Sequence, residues 1–405
     1  MTRRFISALA CTALLTGAAA SAQDLEWVGA WGTGQQLVEE RNELPEGFTD
    51  HVLLHQTVSP TLAGTRIRVR FSNEFGEGPL EIRAASVADA TAAGSTGAVD
   101  GTTTTLTFSG APGITIPPGA AWYSDPVDFA VTPFDDIAIS LDLGETPERQ
   151  TGHPGSRTTT WFNEAGGTIT GEAGNQPRWY YIAGIEVLAA PDARSIAVIG
   201  DSITDGYGST TDGNDRWTDF LARRLQANPE TRDVSVLNMA FGGNCVTRDC
   251  LGPNVPSRID RDVLAQPNVG YVIIFEGIND LGGLARSAPD DKEAHDALVH
   301  NLIASYEQLI ARAHGHGIKV YGATITPFKG GDYYPFNANT EAARQQVNDW
   351  IRTSGKFDAV IDFDAALRDP DDPQRLRPAF DNDHLHPSVA GYEALANAVP
   401  LSLFE

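Results

Sequence analysis

Ser195-Ile196-Ala197-Val198-Ile199-Gly200-Asp201-Ser202-Ile203-Thr204 is the stretch on which the reading of this chain turns. Residues 195–199 are mostly apolar and short enough for a buried strand. Gly200 permits a tight turn, and Asp and Ser are residue types that open helices. Outward from here the pattern repeats. Near-continuous apolar, β-branched runs at 234–238 and 271–275 read as strands buried on both faces. Further strands are expected at 320–326 and 359–363, with helices at 216–227, 294–313, 341–354 and 387–398. Strands alternating with helices imply a parallel sheet covered on both faces, so residues 190–405 are expected to form a three-layer α/β domain.

Upstream the period changes from helical to two. Thr65-Arg66-Ile67-Arg68-Val69-Arg70-Phe71 alternates polar and apolar side chains, as a half-buried strand does. Similar runs lie at 80–87, 102–108, 127–131 and 137–143, separated by turn clusters such as Pro117-Pro118-Gly119. No run of useful length has helical spacing. An all-β sandwich or jelly roll is expected over 23–189, joined to the α/β part near Ala189-Ala190-Pro191-Asp192.

The first residues carry Arg3 and Arg4, an apolar run over 5–19 and the small-residue site Ala20-Ser21-Ala22. This is the pattern of a cleavable signal peptide over 1–22, with a mature start at Gln23 and a periplasmic or secreted destination. The apolar run falls short of the ~20 residues that span a bilayer. Beyond Cys11 the chain has Cys245 and Cys250, an even pair close in sequence, which an oxidising compartment would join as a disulfide.

The formal net charge is −24, and lysine occurs only at Lys292, Lys319, Lys329 and Lys356. Such a field repels nucleic acid and anionic lipid, and no basic run offsets it.

Three more blocks follow Gly200-Asp201-Ser202 in order: Asn238 to Asn244, Gly277-Ile278-Asn279-Asp280, and Asp383-His384-Leu385-His386. Together they hold a hydroxyl, several hydrogen-bond donors, and two histidines with neighbouring carboxylates. In open parallel sheets, functional groups gather at the carboxyl ends of the strands. Each block alone has a plainer reading: Ser202 as a helix cap, Asn279-Asp280 as a turn. Asp381 with His384 competes with Asp383 and His386 as the acid–imidazole pair.

As an ordered set these blocks resemble those of the SGNH/GDSL hydrolases, from about Ser195 to the C-terminus. The resemblance implies that Ser202 is a nucleophile, that His386 is its base, and that Asp383, at Asp-x-x-His spacing, orients the base. It also implies an oxyanion hole from the N–H groups of Ser202 and Gly243 and the Asn279 amide. A serine often precedes the donor glycine in that family; here Gly242 stands there. The implied activity is ester hydrolysis through an acyl-enzyme, with no metal or organic cofactor. His314-Gly315-His316 reads as a helix end, and His51 and His55 as sandwich residues, rather than as metal ligands.

Export, the appended β part and the family's sugar acetylesterases point to a small-molecule or polysaccharide ester, most simply an acetylated carbohydrate. A general short-chain carboxylesterase or arylesterase, an acyltransferase, or a glycan-binding protein are the competing readings. The aromatic loop 328–336 is a candidate wall for a sugar or an acyl chain.

Overall fold

The computed structural model describes residues 25–405; the signal peptide expected over 1–22 lies outside them. From 25 to 189 every strand pairing is antiparallel. One sheet orders Glu26–Gly32, Ile182–Ala189, Gly64–Asn73 and Ala120–Tyr123, with Val127–Val131 also on Gly64–Asn73. A second runs Gly174–Gln176, Thr160–Glu164, Val52–Val58, Ile137–Leu143, Leu80–Asp89, Thr104–Leu106, with Ile114–Ile116 also paired to Leu80–Asp89. Ile67, Val69 and Phe71 of the first sheet share one buried cluster with Leu54, Val87, Ile139 and Leu141 of the second. The alternation seen in sequence therefore places one face of each strand inside a sandwich. A third, small sheet joins Trp179–Tyr180, Thr151–His153 and Gln36–Leu37.

From 194 onward the pairing becomes parallel. The spatial order is Val234–Asn238, Arg194–Gly200, Val269–Phe275, Lys319–Ala323, Ala359–Ile361. Strand order thus reverses beside Arg194–Gly200, and a crevice opens at the carboxyl ends of the strands at such a switch point. The helices Trp217–Ala227 and Val389–Ala398 pack together as one pair, and Lys292–Gly315 with Ala338–Thr353 as another. No helix among the described residues is long and apolar enough to cross a membrane.

Several element ends differ from expectation by a few residues, three of them for plain local reasons. The strand expected at 320–326 stops at Ala323, and the Ile325 N–H donates to the Asn348 side chain at 2.7 Å. That expected at 359–363 stops at Ile361 because the Asp362 carboxylate accepts from the Ala365 N–H and caps Phe363–Leu367. The last helix begins at Val389, two residues after Pro387, because Ser388 is its cap and accepts from the Gly391 N–H.

The two parts are in close contact. Thr33 forms a parallel bridge with Asn238. The Ser235 hydroxyl donates to the Gly29 carbonyl at 2.5 Å, and the Thr61 hydroxyl accepts from the Val236 N–H at 2.9 Å. A β-carbon on Gly34 would sit 2.7 Å from the Met239 carbonyl, so the first part approaches the edge of the parallel sheet at backbone distance.

Candidate active site

Arg194–Gly200 runs directly into a one-turn helix, Ser202–Asp205. Asp201 caps it, its carboxylate accepting the Ile203 N–H at 2.9 Å, so Ser202 is held at the first helical position. Ser202 Oγ lies 2.8 Å from Nε2 of His386. That histidine sits in a turn closed by an antiparallel bridge between Asp381 and Pro387 and by the Asn382 N–H on its own carbonyl at 3.0 Å.

The Asp383 carboxylate accepts from the His386 N–H at 2.8 Å and from its Nδ1 at 2.9 Å. Burial pushes the Asp383 carboxyl upward, but hydrogen bonds from the ring and backbone of His386 outweigh it and hold the group below the ordinary aspartate value. His386 is 2 % exposed, with the Tyr207 ring 4.3 Å away and the Tyr333 ring edge-on at 5.2 Å. The competing histidine is elsewhere: His384 is exposed and bonded through Nδ1 to Asp381 at 2.6 Å.

The second and third blocks meet at the same cleft. Gly243 has φ +70°, and a β-carbon there would meet Leu251 at 2.5 Å, so both conformation and space call for glycine. Just beyond it, a disulfide joins Cys245 to Cys250, with Cα atoms 5.8 Å apart. The buried Asp280 carboxylate holds the same loop by accepting the N–H groups of Val246 and Thr247 at 2.8 and 2.9 Å. Asn279, one residue earlier, lies in the first turn of the helix Ile278–Ser287. Its Nδ2 donates to the Asn244 carbonyl at 2.7 Å, and its Oδ1 accepts from the Tyr334 hydroxyl at 2.7 Å. Ser202, Gly243, Asn279 and His386 line one cleft of about 580 Å³.

Several residues at the site were not singled out from sequence. Arg258, 1 % exposed, donates to the Asn244 side chain at 2.6 and 2.9 Å, to the Met239 carbonyl and to Asp262 at 2.9 Å. It also reaches the Gly200 carbonyl at 3.4 Å and Glu276 at 3.5 Å, so one cation ties together the chain around three of the four blocks. Burial raises the Glu276 carboxyl well above its usual value, helped by the charges of Asp201 and Asp280 and opposed by Arg258.

From the β part comes His153, with Nδ1 2.8 Å from the Gly34 carbonyl and Nε2 2.8 Å from the Asp205 carboxylate in the helix that starts at Ser202. Glu39, Asn42, Arg157 and Arg178 complete that wall of the cleft. No pattern in the sequence marks these residues, since they meet the site only through the packing of the two parts.

The remaining candidates fall in ordinary places. His55 pairs with Ser140 at 2.9 Å inside the sandwich, and His314 with Asp358 at 2.8 Å. Of the aromatic loop, Tyr333 and Tyr334 line the cleft, whereas Phe328 is buried in the core.

Residues 198–394 match the model of the GDSL-like lipase/acylhydrolase family, so this part of the chain is a GDSL-like carboxylic ester hydrolase domain. No curated protein matches the chain. Among solved structures, a variant of an acetyl xylan esterase from Geobacillus stearothermophilus is 26% identical, covering 51% of this chain and 92% of its own, at a TM-score of 0.39. A G-D-S-L family protein from Desulfitobacterium hafniense DCB-2 is 22% identical over 50% of this chain and 96% of its own, at 0.38. A GDSL-like lipase from Bacteroides thetaiotaomicron VPI-5482 is 16% identical over 51% and 85%, at 0.35. At such scores these likenesses carry no substrate over to this chain.

Proposed function

We propose that this GDSL-like ester hydrolase works through Ser202 as nucleophile, His386 as general base and Asp383 as the carboxylate that orients it. The observation that carries the reading is the continuous chain of contacts from Ser202 Oγ to His386 Nε2 at 2.8 Å and from His386 Nδ1 to Asp383 at 2.9 Å. As Oγ attacks an ester carbonyl, Nε2 takes its proton, while Asp383 keeps the Nδ1 proton in place and stabilises the imidazolium. The oxyanion is received by the N–H groups of Ser202 and Gly243 and by Nδ2 of Asn279. Collapse breaks the bond to the alcohol, which leaves with the proton from Nε2. Water, deprotonated by His386, then releases the acid from the acyl-enzyme.

The substrate we propose is a short-chain ester, in the first instance an acetylated carbohydrate. Support comes from the cleft: Glu39, Asn42, Arg157, Arg178 and Tyr333 make a polar, partly aromatic wall, which suits a hydroxylated alcohol better than a long acyl chain. The residues over 23–189 act as an accessory domain that builds this wall, and 190–405 as the hydrolase domain. The protein acts outside the cytoplasm, a reading supported by the Cys245–Cys250 bridge and the leader pattern at 1–22.

The test is acetate release from acetylated polysaccharides, with Ser202→Ala as control. Release that vanishes in the variant is expected. Ser202-dependent cleavage of small aryl esters alone would replace the carbohydrate by a general short-chain ester, and activity surviving Ser202→Ala would overturn the mechanism.

A further inference from the structure

We infer that the cleft selects esters whose alcohol carries a carboxylate, and that Arg157 is the residue that binds it; the inference rests on the esterase reading above. In a chain of net charge −24, this cleft is lined by Arg41, Arg157, Arg178 and Arg286. Of the two carboxylates beside them, Asp205 holds His153 through Oδ1 at 2.8 Å while its Oδ2 has no partner, and Glu39 is taken by the Asn42 amide at 2.7 Å and by Arg41 at 3.8 Å. Arg286 donates to the Tyr333 carbonyl and Arg178 to the Gln176 side chain. Arg157 differs from all of them. Among the described residues its guanidinium forms no ion pair, and its Nε is buried with no hydrogen-bond partner in the protein.

The guanidinium lies 5.1 Å over the Tyr207 ring, and that ring lies 4.3 Å from the imidazole of His386. Arg157 therefore stands one aromatic ring from the base. His386 protonates the departing alcohol, so a group on its side of the cleft faces the alcohol portion of the ester. The oxyanion donors Gly243 and Asn279 face the carbonyl oxygen instead.

The backbone indicates that this placement is built. Arg157 has φ +53°, the left-handed region that a residue with a β-carbon seldom adopts. The segment is clamped on both sides by the hydrolase part. The Asp212 N–H donates to the Arg157 carbonyl at 2.8 Å, the Asp212 carboxylate accepts the N–H and hydroxyl of Thr159 at 2.7 Å each, and Arg216 donates to the Ser156 carbonyl. A strained residue held by its surroundings, with an unmatched charge at the cleft, is an arrangement that a carboxylate would complete through two parallel hydrogen bonds to the terminal nitrogens.

The experiment compares 4-acetoxybenzoate with its neutral analogue 4-acetoxybenzamide, using the full chain, Arg157→Gln, Arg157→Lys and Ser202→Ala. The readout is the ratio of kcat/KM for the anionic over the neutral ester, which cancels both intrinsic reactivity and any general loss of folded enzyme. Arg157→Gln is expected to lower that ratio about tenfold, and Arg157→Lys by less. An unchanged ratio in Arg157→Gln, with Ser202-dependent hydrolysis of both esters, would overturn this inference and leave the esterase reading standing. No Ser202-dependent hydrolysis of either ester would overturn both.

Discussion

The Tyr334 hydroxyl donates to Oδ1 of Asn279 at 2.7 Å, which fixes the amide with its NH₂ end toward the Asn244 carbonyl and the cleft. The contact is possible because Gly282 has no side chain, since a β-carbon there would lie 2.2 Å from the Tyr334 ring. Asn279→Ala is expected to lower kcat by about 10²–10³, the usual cost of one oxyanion donor. Tyr334→Phe should lower kcat by roughly tenfold with little change in KM, the loss of one positioning hydrogen bond. In an Asn279→Ala background the Tyr334→Phe effect should disappear. Steady-state kinetics on the four proteins checks this, and fully additive effects would show that Tyr334 acts by another route.

The Cys245–Cys250 bridge closes a short loop immediately after Gly243. Constraining so small a loop in the unfolded chain is worth about 2 kcal/mol. Replacing both cysteines by alanine is therefore expected to lower Tm by several degrees and to reduce turnover, because the Gly243 N–H loses part of its restraint. Since Asp280 also holds Val246 and Thr247, the loop should not become free and activity should persist at a reduced level. Thermal melts and turnover of the double variant decide it; unchanged values in both would dismiss the bridge as a restraint on the donor loop.

Arg258 is a buried cation whose removal leaves Glu276 without its ion-pair partner and Asp262 with Arg261 alone. Arg258→Met is expected to cost about 3–5 kcal/mol in urea unfolding, the range for breaking a buried pair from one side. Arg258→Lys should rescue little, because one ammonium cannot reach the Asn244 side chain, the Met239 carbonyl and Asp262 together. A loss of less than about 1 kcal/mol for Arg258→Met would show that Glu276 is neutral beside it and needs no cation.

Asp201 gives a pH dependence of definite sign. Burial, with the charges of Asp280 and Asp205, raises its carboxyl from 3.8 to about 7 against the opposing Ile203 N–H and Arg258. Between those two values the folded protein keeps a proton that the unfolded chain has lost. Stability from this group therefore falls as pH rises through the window and is level above it. Asp201→Asn should show a smaller drop in Tm from pH 5 to pH 8 than the parent protein. Equal drops would mean that Asp201 ionises in the folded state as freely as in the unfolded one.

The four blocks and the change from period-two to helical patterning were legible because both are local. Ser195 to Ser202 reads as a strand into a turn in any context, and Ile67, Val69 and Phe71 alternate with arginines whatever lies opposite them. The helix Ile278–Ser287 was not legible: Gly282 and Gly283 weaken its helical signal, and the reason for Gly282 is an aromatic ring more than fifty residues downstream. His153 and Arg157 left no mark because their roles depend on how the β part docks. His384 and His386 could be ranked by motif spacing alone, whereas their different partners, Asp381 and Ser202, follow from the bridge that closes their turn.

The strand Val234–Asn238 lies at the rim of the parallel sheet, with one row of backbone groups turned toward the first part of the chain. Thr33 and Thr61 occupy that row through a bridge at Asn238 and a hydrogen bond from the Val236 N–H, and the Ser235 hydroxyl adds a bond to the Gly29 carbonyl. The β part thus serves as a selvedge, the finished border that keeps a woven cloth from fraying. A hydrolase trimmed to residues 190–405 would display an open strand that invites a second molecule to pair with it. The smallest soluble form is therefore expected to be set by the sheet's border, and to include residues as early as Gly29, far upstream of Ser202.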